Sequence, residues 1–424
     1  MHVPKALRGD SARFAAMVCV ATLTACDALY NPFESERARS TLNLAALEAA
    51  NAPTHIESDL NDEFIYAEAV EVAADPVIIR GRLDDAHDVD VYDVGPVLPG
   101  DRVRVEVSVD EGIDGAIALF DASGSSLLVN DHRNVFEGRR GPFVDIIIRR
   151  AAAYCYVAFT ATPGFTVVGD YALVASIESH DPIPAPVPDV ILLDFAGGPD
   201  VTIGSRPAID VPPFDAVNIS KLYRNRTDEM VALIVEDIRT TFSGFDLTIL
   251  STSEGAVPDS SSSRLFFGTY DSALLGVAEG VDEYNGQKRQ EAIVFTDTFA
   301  AFERLNPSVE EMAQAISNVA CHEIGHLLGL VHTADPDGIM DVTASLSELM
   351  VPQAFTVSPL YAAVFPLGNQ DGVQLLLDSI GGDAEAARVH EWKTLQKRPV
   401  SVDDGQRLIR ASLMLGTCGL DHRH

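Results

Sequence analysis

One eleven-residue stretch, His322-Glu323-Ile324-Gly325-His326-Leu327-Leu328-Gly329-Leu330-Val331-His332, constrains this chain more than any other feature. Residues four apart lie on one face of an α-helix, one turn above the other. His322 and His326 so placed reach a single Zn2+ at about 2.0–2.1 Å. Glu323 follows the first ligand and sits beside the metal without completing its shell, which leaves its carboxylate free to take a proton from water. Gly329 adopts φ > 0 without a Cβ penalty, so the helix can stop there and turn sharply. The turn returns His332 as third ligand. A fourth position left open for water marks a catalytic rather than a structural site. The spacing therefore implies one catalytic Zn2+ on His322, His326 and His332, with Glu323 as general base in peptide-bond hydrolysis.

The helix around the motif is legible independently. Ser308 is an N-cap, with Glu311 three residues on as the reciprocal partner of a capping box. Met312, Ile316 and Val319 recur at helical spacing, which predicts a helix over 309–328. Eight residues past His332 comes Met340, within Asp337-Gly338-Ile339-Met340-Asp341. This stretch resembles the metzincin metalloproteases, and the distance from His332 to Met340 is similar to that of their matrixin branch. The resemblance implies that Met340 belongs to a tight turn beneath the zinc site, the Met-turn. Asp341 departs from the Pro or Tyr-containing sequence often found there, so a tyrosine role near the metal is not carried over. No cysteine-switch segment is found upstream. A competing zincin class takes a Glu from a later helix as third ligand; Gly329 and His332 argue against it.

The first residues read as targeting rather than fold. Lys5, Arg8 and Arg13 precede an apolar run from Phe14 to Ala25, too short for a stable span and suited to a signal-peptide core. It ends in Leu23-Thr24-Ala25-Cys26, which resembles a bacterial lipobox. That resemblance implies a mature chain beginning at a lipidated Cys26 and tethered to a membrane. The alternative is ordinary secretory cleavage with an incidental thiol. The net charge of −33 disfavours nucleic acid and anionic membrane as partners and suits an exported, solvated surface. Of five cysteines, the lipobox resemblance implies that Cys19 leaves with the signal and that Cys26 carries the lipid, which leaves Cys155, Cys321 and Cys418. An odd number does not suggest a disulfide framework. Cys321 points away from the ligand face in helical phase and reads as a small buried hydrophobe.

Seven short strands are expected between residues 54 and 180, at Val77–Arg82, Asp90–Val94, Val103–Val109, Ala116–Phe120, Val144–Ile148, Tyr154–Phe159 and Tyr171–Ala175, separated by turn clusters. Strands at this density indicate a β-sandwich. Asp88-Val89-Asp90-Val91-Tyr92, Pro99-Gly100-Asp101, Leu119-Phe120-Asp121, Asn130-Asp131 and Gly169-Asp170-Tyr171 resemble the bacterial pre-peptidase C-terminal domain. That likeness implies a non-catalytic accessory domain. Ca2+ ligation by the acidic run from Asp84 to Asp90 is conceivable on its oxygen ligands but unsupported, and a solvated strand end is preferred. Proline at every second position in 181–188 makes a semi-rigid spacer.

The organisation so predicted is a lipoprotein signal at 1–25, a tether at 26–53, an all-β sandwich at 54–180, the Pro-rich linker at 181–188, an α/β (α+β) metzincin-like catalytic domain at 189–382 and an extension at 383–424 whose end, Cys418 to His424, is expected to fray. By analogy, residues 275–282 form the sheet edge that pairs with extended substrate. The expected protein is an exported, lipid-anchored zinc endopeptidase of the cell envelope, acting on protein or peptide substrates and meeting the membrane through its lipid alone. Its rival is a surface-anchored binding lipoprotein with a latent or structural zinc domain. Substrate preference and oligomeric state are not legible.

Overall fold

The computed structural model describes residues 43–397, except 59, 110–112, 131–141, 163–167, 180, 260–261 and 343–344, together with 416–418. The signal segment, Cys26, Asp131, a helical pattern expected near 405–414, and His422 and His424 lie outside the described residues. No helix among the described residues is long and apolar enough to cross a membrane.

A short helix, α1 (Leu44–Ala49), precedes ten strands: β1 (Thr54–Ile56), β2 (Glu68–Ala69), β3 (Val77–Leu83), β4 (Val89–Asp93), β5 (Arg102–Val109), β6 (Gly115–Phe120), β7 (Ser126–Asn130), β8 (Phe143–Ile147), β9 (Tyr156–Ala161) and β10 (Gly169–Glu178). They form two five-stranded sheets, ordered β1-β3-β10-β5-β8 and β2-β4-β9-β6-β7. Alternation along β5 explains the first sheet. Val103, Val105 and Val107 enter the core while Arg102, Arg104 and Glu106 face outward. Arg102 forks onto Asp145 of β8 at 2.7 and 2.8 Å. β6 behaves differently, because every residue of Gly115–Phe120 is buried. Its inner residues, Ile117 and Leu119, fill the sandwich core. Its outer residues, Ala116, Ala118 and Phe120, form a second cluster with Leu360 and Phe365 from far along the chain.

The acidic run is only partly a solvated strand end. Asp84, Asp85 and His87 are exposed. Asp90 is 1 % exposed, accepts a hydrogen bond from the Tyr171 hydroxyl at 2.6 Å, and that hydroxyl lies 2.6 Å from the hydroxyl of Tyr92. The period-two alternation of the strand carries Asp90 and Tyr92 to one face, while Val89 and Val91 are buried on the other.

The proline segment is not a free spacer. Asp181 N–H donates to the Gly100 carbonyl at 3.0 Å and Val187 N–H to that of Ser379 at 2.8 Å, pinning both ends. Beyond it come β11 (Asp189–Asp194), a hairpin of β12 (Gly198–Val201) and β13 (Ile209–Val211), α2 (Thr227–Thr241), β14 (Leu247–Ser251), β15 (Ser263–Phe267), β16 (Leu274–Ala278), β17 (Glu291–Val294) and α3 (Val309–Leu327). A four-residue helix α4 (Leu346–Leu349), the pair β18 (Val357–Pro359) and β19 (Asn369–Asp371), α5 (Gly372–Ile380), α6 (Ala384–Lys397) and β20 (Gly416–Cys418) complete the described chain.

The main sheet runs β14-β11-β15-β17-β16-β20. β14, β11, β15 and β17 are parallel, and β16 is antiparallel to β17. One face packs α2 and α3 through Met230, Ile234, Ile238, Met312, Ile316 and Val319. The other face, with Phe266, Val277 and Ile293, is covered by Val201 and Val211 of the hairpin. The helix expected over 309–328 spans Val309–Leu327, with both halves of the Ser308–Glu311 capping box formed. β20 adds to the open edge of β16; residues 419–424, the rest of the end expected to fray, lie outside the described residues.

Burial, with the neighbouring Glu57 carboxyl, pushes Asp90 up to about 10, far above the unperturbed value of about 3.9. A raised carboxyl contributes stability that is intact below about pH 4 and is lost as pH rises through about 10. Asp90→Asn cannot ionise, so its melting midpoint should match wild type near pH 4 and exceed it by a margin that widens toward pH 9. Thermal melts across that range check this; a wild type that gains on the variant as pH rises contradicts it.

Candidate active site

The site is assembled on the C-terminal half of α3 and the turn that follows. His322 and His326 face the same way from successive turns of the helix, and the chain doubles back at Gly329, where φ is +100°. A Cβ at Gly329 would stand 2.8 Å from the Asp282 carbonyl oxygen, so the turn requires glycine on both conformational and steric grounds. Leu330 and Val331 then carry His332 back toward the helix.

The Nε2 atom of His326 lies 3.1 Å from Nε2 of His322 and 3.2 Å from Nε2 of His332. All three rings are buried, at 2 % exposure or less. They are the one group of three or more metal-ligating side chains among the described residues. Nδ1 of His322 is 2.7 Å from the Ile339 carbonyl and Nδ1 of His326 is 2.7 Å from that of Leu330. A carbonyl only accepts, so these Nδ1 atoms carry the protons and both Nε2 atoms present lone pairs. Burial pushes His322 down to about 4, which keeps its ring neutral at pH 7.

Bare lone pairs this close repel unless a cation lies between them. Tetrahedral ligation at about 2.0–2.1 Å puts ligand nitrogens roughly 3.3 Å apart, close to the separations found. The donor set, its tautomers and its burial fit a zinc ion. His322, His326 and His332 would hold it.

Glu323 is fully buried beside the triad. Its carboxylate lies against β16 at Gly276, where any Cβ would overlap Oε1. Met340 is 3 % exposed, and its sulfur seats under α3 at Gly325, so close that a Cβ there would stand 2.6 Å from Sδ. Met340's carbonyl accepts from Thr333 N–H at 2.9 Å, which ties the two turns together. Gly276 and Gly325 thus belong to the site as clearances for Glu323 and Met340. The sequence signal for each was a glycine inside a regular element, where it ordinarily weakens the structure. Cys321 faces the helix-packing core and is no ligand.

The matrixin family model matches residues 276–354, the stretch that contains the end of β16 from Gly276, the triad and Met340. No curated protein matches the chain. Among solved structures, archaemetzincin from Methanopyrus kandleri is 15% identical over 41% of this chain and 89% of its own, with a TM-score of 0.24. A zinc-dependent peptidase from Methanocorpusculum labreanum is 16% identical over 38% and 91%, with a TM-score of 0.22. The pre-peptidase C-terminal domain of a collagenase from Bacillus anthracis is 14% identical over 29% and 100%, with a TM-score of 0.21.

Gly329→Ala should cost about 1–3 kcal/mol through backbone strain and spoil the return of His332. Zinc should raise the wild-type melting midpoint by mass action, and the variant should lose most of that increment. An undiminished zinc-dependent shift in the variant would show that the turn does not govern the site.

Proposed function

We propose that the chain is a zinc endopeptidase acting on extracytoplasmic proteins or peptides. The observation that carries this reading is the meeting of three imidazole nitrogens at one buried point, with the buried Glu323 following His322 on the helix. When bound, zinc supplies Lewis-acid chemistry, acidifying water and polarising a carbonyl. Glu323 takes the proton from the attacking water and passes it to the departing amine. Its seat against Gly276 holds it over the strand that faces an extended peptide. A site that only stabilised the fold would need no carboxylate at this position, which favours the enzyme over a binding lipoprotein with a structural metal.

Substrate docking follows from the sheet. An extended peptide adds to an edge strand through main-chain hydrogen bonds, and β16 is the edge of the catalytic unit's own strands. β20 pairs with that edge, Leu274 opposite Gly416 and Gly276 opposite Cys418. Substrate and β20 therefore compete for the same backbone groups. We place the protein in the cell envelope on a lipid at Cys26; mass spectrometry of the mature N-terminus tests this, and an unmodified thiol or a different first residue refutes it.

On a mixed peptide library, wild type should cleave and a chelator should stop it. Glu323→Ala should retain zinc and lose at least about 100-fold in turnover, whereas His326→Ala should lose both metal and activity. Wild-type turnover in Glu323→Ala would defeat the assignment. A chain ending at residue 415 should show a KM several-fold lower than the full chain; an unchanged or higher KM would show that β20 does not occupy the substrate edge.

A further inference from the structure

His332 is the one triad member not carried by α3, so its place depends on what braces the turn 329–333. Two segments do so. The first follows β16. Asp282 N–H donates to the His326 carbonyl at 3.0 Å, and the backbone of Asp282, Glu283 and Tyr284 lies directly against Gly329. The second is the run from Leu360 to Gln370. Tyr361 N–H donates to the His332 carbonyl at 3.0 Å. The buried Gln370 amide grips both polar groups of Val331, accepting from its N–H at 2.8 Å and donating to its carbonyl at 2.9 Å.

Both braces are fastened to the β-sandwich. Tyr284 adopts a left-handed conformation, φ 58° and ψ 27°, which is uncommon for an aromatic residue. Its hydroxyl donates to the Leu127 carbonyl of β7 at 2.6 Å, and the Arg149 guanidinium lies 4.0 Å above its ring. In the second brace, the Phe365 ring packs on Phe120 of β6 at 5.7 Å between centroids, both rings fully buried. Asn369 N–H donates to the Gly124 carbonyl at 2.9 Å. Gly368 has φ +84° and no room for a Cβ against the Phe120 ring.

We infer that Gln370 is a positioning residue for His332 and that the β-sandwich, through Phe120 and Leu127, is a structural part of the metal centre rather than a separable module. The inference rests on the zinc reading of the triad. Partners in this outer layer typically change metal affinity or activity by 10–100-fold.

The test uses the full chain carrying Gln370→Met, Phe120→Ala or Tyr284→Phe. Ile79→Ala, a cavity in the sandwich core away from the junction, is the control. Zinc affinity is measured by chelator competition, and ligand geometry by the visible spectrum of the cobalt-substituted protein. Gln370→Met and Phe120→Ala should weaken zinc about 10–100-fold and shift the cobalt bands, while Ile79→Ala melts earlier with unchanged affinity and bands. Tyr284→Phe removes a single hydroxyl and should give a smaller shift of the same sign, which preserves the test should the larger changes prevent folding. Wild-type affinity and spectrum in every folded junction variant would overturn the inference. A wild-type chain that takes up no metal would instead overturn the zinc reading beneath it.

Discussion

Everything at the site depends on three neutral imidazoles being held with their lone pairs aimed at one buried point. That arrangement is unfavourable without a cation, so the fold must impose it. Helical periodicity imposes it on His322 and His326, and their Nδ1 protons are parked on the carbonyls of Ile339 and Leu330. The third ring needs a left-handed glycine, a return segment and partners for the buried backbone of Val331 and His332. An unpaired buried backbone group costs about 1–3 kcal/mol, and Gln370 and Tyr361 remove that cost here.

The local part of this design was legible in the sequence. Helix spacing, the Ser308–Glu311 capping box and the Gly329 stop are short-range signals, and α3 begins at Val309 and ends at Leu327 accordingly. The larger strands were legible for the same reason, since the alternation along β5 and the apolar run along β10 are written in consecutive residues. What escaped was set by distant contacts. β1, β2, β7, the β12–β13 hairpin and the β18–β19 pair are short and carry little periodic signal. The region after Met340 resolves into β18, β19 and α5, with Asp371 as N-cap of α5, accepting from Gln374 N–H at 3.0 Å. Gln370 therefore sits in a strand, bonded to Val331, and the helix begins only at Gly372.

The relation between the two units was the largest gap, although a signal for it existed. β6 reads Gly115-Ala116-Ile117-Ala118-Leu119-Phe120, apolar at every position. A sandwich strand with one wet face alternates, and a strand buried on both faces does not. The covering surface is Leu360 and Phe365, more than two hundred residues away, and no local pattern names it. Burying a side chain the size of Phe120 or Phe365 is worth about 1.5–3 kcal/mol. The proline segment, pinned at Asp181 and Val187, accordingly lies along a joined surface instead of holding two bodies apart. The acidic composition, by contrast, speaks to the exposed surface alone.

The central claim, three imidazoles on one zinc ion with an open fourth place, is tested most directly by X-ray absorption at the zinc edge of the purified full chain. The account predicts three imidazole scatterers at about 2.0–2.1 Å with one further light oxygen or nitrogen neighbour. A chain that binds no zinc, or a shell containing sulfur near about 2.3 Å, would contradict it.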